Sequence, residues 1–134
     1  MLKPLLQNNF NIMKAFITNH AQSPRKVRLV ASLIKGKGVP QALAELDFLA
    51  KRASNPLKKL LLSAVANAKN QGVEKDNLII KEFRVDQGIV MKRMQPAAMG
   101  SAHPFKKRTS NISLILSEKV AEVKKSPKKK EVKK

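Results

Sequence analysis

The sequence predicts an α+β protein in which three helices pack on a small three-stranded antiparallel sheet with a long protruding β-hairpin. Three observations predict this class: three apolar stripes with helical spacing in the first half, two strand-like runs in the second half, and the long stretch 86–111 between those runs. A structureless connection of that length is uncommon in a compact domain, whereas two long paired strands account for it. At about 3.3 Å per residue, a dozen residues in each direction would carry the tip about 40 Å from the sheet.

The predicted strands are short runs rich in β-branched and aromatic residues. LIIKEFRV at 78–85 leads into the hairpin and NISLILS at 111–117 leads out of it, with apolar residues at every second position of the latter. Such alternation is typical of a half-buried antiparallel strand. KAFITNH at 14–20 is predicted as the third strand, beside the base of the hairpin.

The first helix is predicted to begin at Ser23-Pro24, where the Ser oxygen can cap free N–H groups and Pro costs no hydrogen bond. The helix should run through PRKVRLVASLIK and stop at Gly36 and Gly38. Its apolar stripe consists of Val27, Val30, Ala31 and Ile34, and Leu29 and Leu33 are expected to broaden the buried side.

Two further helices follow. The second is predicted from Pro40 to residue 52, and its apolar face consists of Ala42, Leu43, Leu46 and Leu49 or Ala50. The third is predicted to begin at Asn55-Pro56 and to end at Gly72. Its stripe consists of Leu57, Leu60, Leu61, Ala64, Val65 and Ala68, at spacings that predict one buried face. We expect this third helix to be the central helix of the core.

The chain is predicted to hold one folded domain at 14–118, which includes the hairpin at 78–117. Residues 1–13 are expected to form an N-terminal extension. Residues 119–134 contain eight Lys and have no apolar periodicity, so they are predicted to form a basic disordered tail.

The charge balance predicts a polyanionic partner. Lys and Arg number 28 against 9 Asp and Glu, which gives a formal net charge of +19. The absence of Trp and Tyr, with only five Phe, disfavours recognition mainly by stacking of bases on aromatic side chains. Contacts with phosphates are therefore expected to dominate.

Several classes of function lack the residues that they need. With no Cys, thiolate metal sites and disulfides are excluded, and no apolar run approaches the roughly 20 residues that cross a bilayer. His20 and His103 stand apart without metal-ligand spacing, and the GKG at 36–38 lacks the rest of a phosphate-loop motif. We therefore predict no enzyme, no cofactor, no metal and no membrane partner, and a location in the cytosol or in the interior of an organelle.

Two groups of cations are candidate binding sites. The first surrounds the first helix and consists of Arg25, Lys26, Arg28, Lys35 and Lys37. The second belongs to the hairpin and consists of Lys92, Arg93, Lys106, Lys107 and Arg108. An ordinary solvated face is the alternative for the first group, but seven cations precede the first carboxylate, Glu45. An exposed loop kept soluble by Lys is the alternative for the second, but it would leave three Met and a Phe in water.

Three segments carry a resemblance to a known family. SPRKVRLVASLIKGK, SNPLKKLLLSAVANAKN and VDQGIVMKRMQPAAMGSAHPFKKRTSNISLIL resemble the bacterial type of the L-twenty-two family of large-subunit ribosomal proteins, over about 14–118. The resemblance implies a non-catalytic component, monomeric within the ribosome, that binds large-subunit rRNA and supports subunit assembly. It also implies contacts with neighbouring ribosomal proteins and a hairpin that lines the tunnel through which the nascent polypeptide leaves.

Site residues follow from the resemblance by position. Arg25, Lys26 and Arg28 match an rRNA-contacting helix start, and Lys107, Arg108, Thr109 and Ser110 match the returning strand of the hairpin. The expected tunnel-facing tip consists of Met91, Lys92, Arg93, Met94, Gln95, Pro96, Ala97, Met99 and Gly100. Relatives usually carry cations where this chain has Ala97, Met99, Ser101 and Pro104, which implies a less basic tip.

Two other classes of function compete with this interpretation. An architectural DNA-binding protein also uses basic β-arms, which enter the minor groove and wedge apolar side chains between base steps. A preference for structured rRNA over duplex DNA of equal length separates the two. An enzyme is the third class, and it would require a catalytic cluster that only the fold could bring together.

Overall fold

The computed structural model describes residues 13–118 and confirms the predicted α+β class. The predicted N-terminal extension, apart from Met13, and the predicted tail at 119–134 lie outside the described residues. The helices are α1 (Pro24–Ile34), α2 (Val39–Phe48) and α3 (Ser54–Asn70), and the strands are β1 (Met13–His20), β2 (Leu78–Pro96) and β3 (Ala102–Glu118). Short 3₁₀ turns at Lys75–Asn77 and Ala98–Gly100 precede β2 and join β2 to β3.

The sheet is antiparallel with β3 at its centre, in the order β1-β3-β2. β1 pairs with β3 from Met13 opposite Leu116 to His20 opposite Ser110. Pairing of β2 with β3 continues to Pro96 opposite Ala102. From Ser110 toward the turn at residues 98–100, only β2 and β3 continue. This part of the sheet is a two-stranded ribbon that projects by about 30 Å, at about 3.3 Å per residue. We call residues 89–108 the arm.

All three helices pack on one face of the sheet. The strand residues on that face alternate along the chain and are buried; they are Met13, Ala15, Leu78, Ile80, Phe83, Val85, Ile112, Leu114 and Leu116. The predicted stripe of α1 is buried, and so is every predicted stripe residue of α3. Leu61 of α3 has no exposed surface, which fits the central position predicted for that helix.

The prediction that Leu29 and Leu33 broaden the buried side of α1 is wrong. Leu29 is 71% exposed and Leu33 is 41% exposed. Leu29 lies about 200° around the helix from Val27, at 100° per residue, and therefore points away from the sheet. In the described part of the chain no second layer covers that side of α1.

The predicted ends of α2 and α3 also need correction. α2 ends at Phe48 instead of continuing to residue 52, and the hydroxyl of Ser54 donates a hydrogen bond of 2.9 Å to the carbonyl of Leu49, just beyond the helix end. α3 begins at Ser54, so Pro56 lies in its first turn. Backbone N–H groups in the first turn have no partner within the helix, so a proline there costs no hydrogen bond. Leu49, and not Ala50, packs against the core.

The predicted cap and stop signals around α1 are borne out only in part. Ser23 stands at the N-cap with extended backbone, but its side chain makes no capping bond. Gly36 adopts the left-handed conformation, with φ of 80°, that favours glycine after a helix. Gly38 instead directly precedes α2. Between the two helices, Gly36 and Lys37 exchange backbone hydrogen bonds of 3.0 Å with Ile80 at the edge of β2.

Candidate nucleic-acid interface

The arm presents cations on both of its faces. Directly opposed residues in an antiparallel pair point to the same face. One face therefore carries the pairs Val90–Arg108, Lys92–Lys106 and Met94–Pro104, and the other carries Met91–Lys107, Arg93–Phe105 and Gln95–His103. A partner that contacts the cations of the arm would therefore have to approach it from both sides.

The arm cations have no carboxylate partner within residues 13–118. The three ion pairs in that range are Lys37–Glu45, Lys58–Asp47 and Glu82–Arg84, and all three lie off the arm. Lys92 stands directly opposite Lys106 across the ribbon. Like charges in that position are destabilising. An anion bound between the two ammonium groups would relieve this repulsion.

The tip of the arm is exposed and uncharged. From Gln95 to Phe105 the chain has no Lys or Arg, so the cations form a band lower on the arm. The turn closes through a 2.8 Å hydrogen bond from the Ala97 N–H to the Ser101 carbonyl. Met99 has φ of 58° and its side chain is fully exposed. Every residue of the expected tip is exposed except Ala97, which is half-buried.

The start of α1 lies next to the base of the arm. The guanidinium of Arg28 donates from Nε and Nη2 to the carbonyl of Val85 in β2, at 3.0 and 2.8 Å. Arg25 and Lys26 are exposed. The other two predicted residues lie at the far end of this helix, where Lys35 is exposed and Lys37 Nζ bonds both carboxylate oxygens of Glu45, at 2.5 and 2.7 Å.

Two predicted site residues, Thr109 and Ser110, have buried side chains. Thr109 is 3% exposed, and its hydroxyl donates a 2.7 Å hydrogen bond to the carbonyl of Ile89. Ser110 is fully buried, and its hydroxyl has no hydrogen-bond partner within the described residues. Both side chains lie inside the base of the hairpin, where a partner of the arm cannot reach them.

Sequence reasoning missed the residues that build the base of the arm. The pairing register shifts between Gln87 and Val90, so β2 is bulged there, next to Gly88. Asn19 adopts φ of 52°, and its N–H donates a 2.8 Å hydrogen bond to Oδ1 of Asn111. A glycine inside a strand pattern often marks a bulge, so Gly88 was the available signal.

The described residues contain no other arrangement with obvious chemistry. Residues 13–118 include no group of three or more His, Asp or Glu that could hold a metal ion. His20 contacts the amide of Gln22 at 3.3 Å, and His103 lies opposite Gln95 on the arm. No helix in this range is long and apolar enough to cross a membrane.

These features define the class of the molecule: a small basic α+β protein with a protruding two-stranded arm. Comparison with known proteins narrows the class. A family model described as ribosomal protein L22p/L17e matches residues 15–117. The chain therefore belongs to the ribosomal protein L22p/L17e family, which confirms the resemblance seen in the sequence.

Individual relatives agree with this assignment. The large ribosomal subunit protein uL22 of Desulfitobacterium hafniense is 52% identical over 98 residues, which are 72% of this chain and 86% of the relative. The protein of the same name from Thermoanaerobacter sp. is 51% identical, over 72% of this chain and 88% of the relative. That of Christiangramia forsetii is 47% identical over 106 residues, which are 76% of this chain and 78% of the relative.

Proposed function

We propose that this chain is a structural, non-catalytic constituent of the large ribosomal subunit in the cytoplasm. It binds large-subunit rRNA, supports assembly of the subunit and lines the nascent-polypeptide exit tunnel with its arm. The observation that carries the proposal is the band of five cations on both faces of the arm, none of which has a carboxylate partner among the described residues. Membership of a ribosomal protein family indicates that the polyanion bound by these cations is rRNA.

The cations divide into groups with different tasks. Arg25 and Lys26 at the start of α1 and the band on the arm contact rRNA phosphates, because these side chains are exposed and unpaired within the described residues. Arg28 holds α1 against the base of the arm as well as adding charge. Lys35 is exposed at the other end of α1 and adds charge there, and Lys37 contributes less, since Glu45 already neutralises it.

The tip of the arm has a different task from the band. The stretch from Gln95 to Phe105 has no Lys or Arg. It is therefore suited to form part of the tunnel wall, because it does not hold a passing nascent polypeptide by charge. The expected tip residues Met91, Lys92 and Arg93 lie nearer the base of the arm than this stretch does. There they contact rRNA. Neighbouring ribosomal proteins contact the domain that carries the arm.

Sedimentation of a cell extract through a magnesium-containing gradient tests the proposal. The chain should sediment with the large subunit. A variant with Gln at Lys92, Arg93, Lys106, Lys107 and Arg108 should remain at the top of the gradient. A matched control that loses five charges elsewhere, at Lys51, Arg52, Lys59, Lys69 and Lys75, should still sediment with the subunit.

Two results would contradict the proposal. One is incorporation of the arm variant as efficiently as the unaltered chain. The other is tighter binding of the purified protein to duplex DNA than to structured rRNA of equal length, which would favour the architectural DNA-binding alternative.

A further inference from the structure

The two faces of the arm surround their cations with different neighbours. The first, which we call the Lys92 face, has three cations in two adjacent rows and consists of Val90, Lys92, Met94, Pro104, Lys106 and Arg108. The second, which we call the Phe105 face, consists of Met91, Arg93, Gln95, His103, Phe105 and Lys107. On the Phe105 face each cation stands opposite an apolar side chain, since Lys107 is opposite Met91 and Arg93 is opposite Phe105. The two faces therefore offer different surfaces to a partner.

Arg93 stands between the two apolar side chains of the Phe105 face. It is directly opposite Phe105, with about 5 Å between Cβ atoms as in any such pair, and its Nη2 lies 3.9 Å from Sδ of Met91. Phe105 and Met91 are 36% and 41% exposed, whereas Met94 on the Lys92 face is 70% exposed. Because the arm is a two-stranded ribbon, neighbouring side chains of the same face account for this cover. Phe105 is thus restricted by its neighbours and still open to a partner.

No carboxylate on the arm competes for the cations of the Phe105 face. The sequence has no Asp or Glu between Asp86 and Glu118. Arg93 and Lys107 are both exposed, and the ion pairs within residues 13–118 all lie off the arm. A ligand on this face therefore meets two cations beside an apolar surface, with no negative charge to repel an anion. This combination favours a ligand that carries phosphates and a flat apolar group.

We infer that the Phe105 face binds one unpaired nucleotide of rRNA. Its base stacks on Phe105 beside Met91, and Arg93 and Lys107 hold the phosphates that flank it. Aromatic rings and guanidinium planes are the groups on which proteins stack the unpaired bases of RNA. The Lys92 face, which has no aromatic ring, contacts phosphates only. The inference rests on the proposed function, and it names the part of the rRNA that each face of the arm contacts.

A nucleotide fits the Phe105 face better than the nascent polypeptide does. Every base has a π-face that can stack on an aromatic ring, and every nucleotide brings a phosphate for the cations beside that ring. A polypeptide carries negative charge only where its sequence has Asp or Glu, so it does not match two fixed cations as it passes. The next row toward the tip, Gln95 opposite His103, lies about 7 Å from Phe105. Its amide and imidazole can hydrogen-bond the edge of a stacked base.

The first test compares two phenylalanines outside the core. Phe105→Ala should weaken binding of the full chain to large-subunit rRNA by about 5- to 150-fold, the effect of losing one base stacked on an aromatic ring. Phe48 is 90% exposed on α2, away from the arm, so Phe48→Ala is the matched control and should bind as the unaltered chain does. Both variants should melt within a few degrees of the unaltered protein, because neither ring belongs to the core.

Salt dependence distinguishes the two faces. Phe105→Ala should lower the affinity for rRNA and leave the slope of log affinity against log salt unchanged, because stacking releases no counterions. On the Lys92 face, Lys92→Gln and Lys106→Gln should each reduce the slope by about 0.7 to 0.9, the values for one phosphate contact on a single strand and on a duplex. A face that contacted rRNA only through its cations would not show this split.

Two further variants separate stacking from apolar packing. Phe105→Leu keeps an apolar side chain without a π-face and should lose most of the affinity that Phe105→Ala loses, whereas Phe105→Trp should retain that affinity. Because the chain has no Trp and no Tyr, Phe105→Trp also introduces its single indole. Binding of rRNA should quench the fluorescence of that indole, while the indole of Phe48→Trp should show no quenching.

Each contrary outcome has a distinct meaning. Unchanged rRNA affinity in Phe105→Ala would overturn the nucleotide site and leave the proposed function intact. The same result, together with altered translation by subunits that contain the variant, would assign this face to the nascent polypeptide instead. Full affinity in Phe105→Leu would show apolar packing without stacking and would also overturn the site. Failure of the unaltered chain to bind rRNA would overturn both proposals.

Discussion

The backbone of Gly88 passes so close to the side chain of Thr109 that a Cβ atom at position 88 would lie 2.5 Å from Thr109 Oγ1. Asn111 Oδ1 and Asn19 Oδ1 would lie 3.1 and 3.3 Å from the same atom. The Thr109 hydroxyl is itself bonded to the carbonyl of Ile89 and cannot move away freely. The glycine thus allows β1, β2 and β3 to meet at the point where the arm leaves the sheet.

Gly88→Ala should destabilise the domain by about 1 to 3 kcal/mol, the usual cost of inserting a methyl group into a packed site. The measurement is urea unfolding followed by circular dichroism. Thr109→Ala removes the nearest clashing atom. The double variant should therefore lose less stability than the sum of the two single variants. Strict additivity would show that the close approach of these two residues does not constrain the protein.

Arg28 should differ from its neighbours Arg25 and Lys26 in a measurable way. Arg25→Gln and Lys26→Gln should each lower the salt slope of rRNA binding by about 0.7 to 0.9 and leave the melting temperature unchanged. Arg28→Gln should in addition cost about 1 kcal/mol or more of stability, because the Val85 carbonyl loses two charge-assisted hydrogen bonds. Equal stability of all three variants would contradict a structural role for Arg28.

Core and arm should respond oppositely to truncation. Leu61→Ala should destabilise the domain by about 2 to 5 kcal/mol, because it removes a fully buried side chain and leaves a cavity. Lys92→Ala should leave stability nearly unchanged, since Lys92 is exposed on the arm and faces another cation. Thermal unfolding of both variants provides the comparison. If Lys92→Ala were as damaging as Leu61→Ala, the arm could not be a projection independent of the core.

The sequence predicted what depends on local periodicity. The buried stripes of α1 and α3 follow from apolar residues spaced three and four apart, and the alternation in 111–117 places Ile112, Leu114 and Leu116 in the core. The length of the stretch 86–111, between the two strand-like runs, predicted the arm. In α1, α3 and β3 one periodic pattern agrees with one buried face, so no tertiary information was needed.

What the sequence could not predict depends on contacts between distant residues. The end of α2 is fixed by the Ser54 hydroxyl, which reaches back to Leu49, and propensity alone extended that helix by one turn. The burial of Thr109 and Ser110 follows from the meeting of β1, β2 and β3 at the base of the hairpin, a relation that no local pattern contains.

The arm should hold a single shape only when it is bound. Past Ser110 it is a ribbon of two strands without a packed face, which is marginal in water, and Lys92 faces Lys106 across it. Amides in such a ribbon exchange through frequent local opening. Neutralisation by rRNA must offset the entropy of ordering each residue, about 1 to 2 kcal/mol.

Hydrogen exchange on residues 89–108 tests the central claim, that the arm is built to be ordered by the ribosome, most directly. In the free protein these amides should be essentially unprotected while those of α1 and α3 are protected, and in purified large subunits the same arm amides should become protected. Strong protection of the arm in the free monomer, or none in the subunit, would contradict the account.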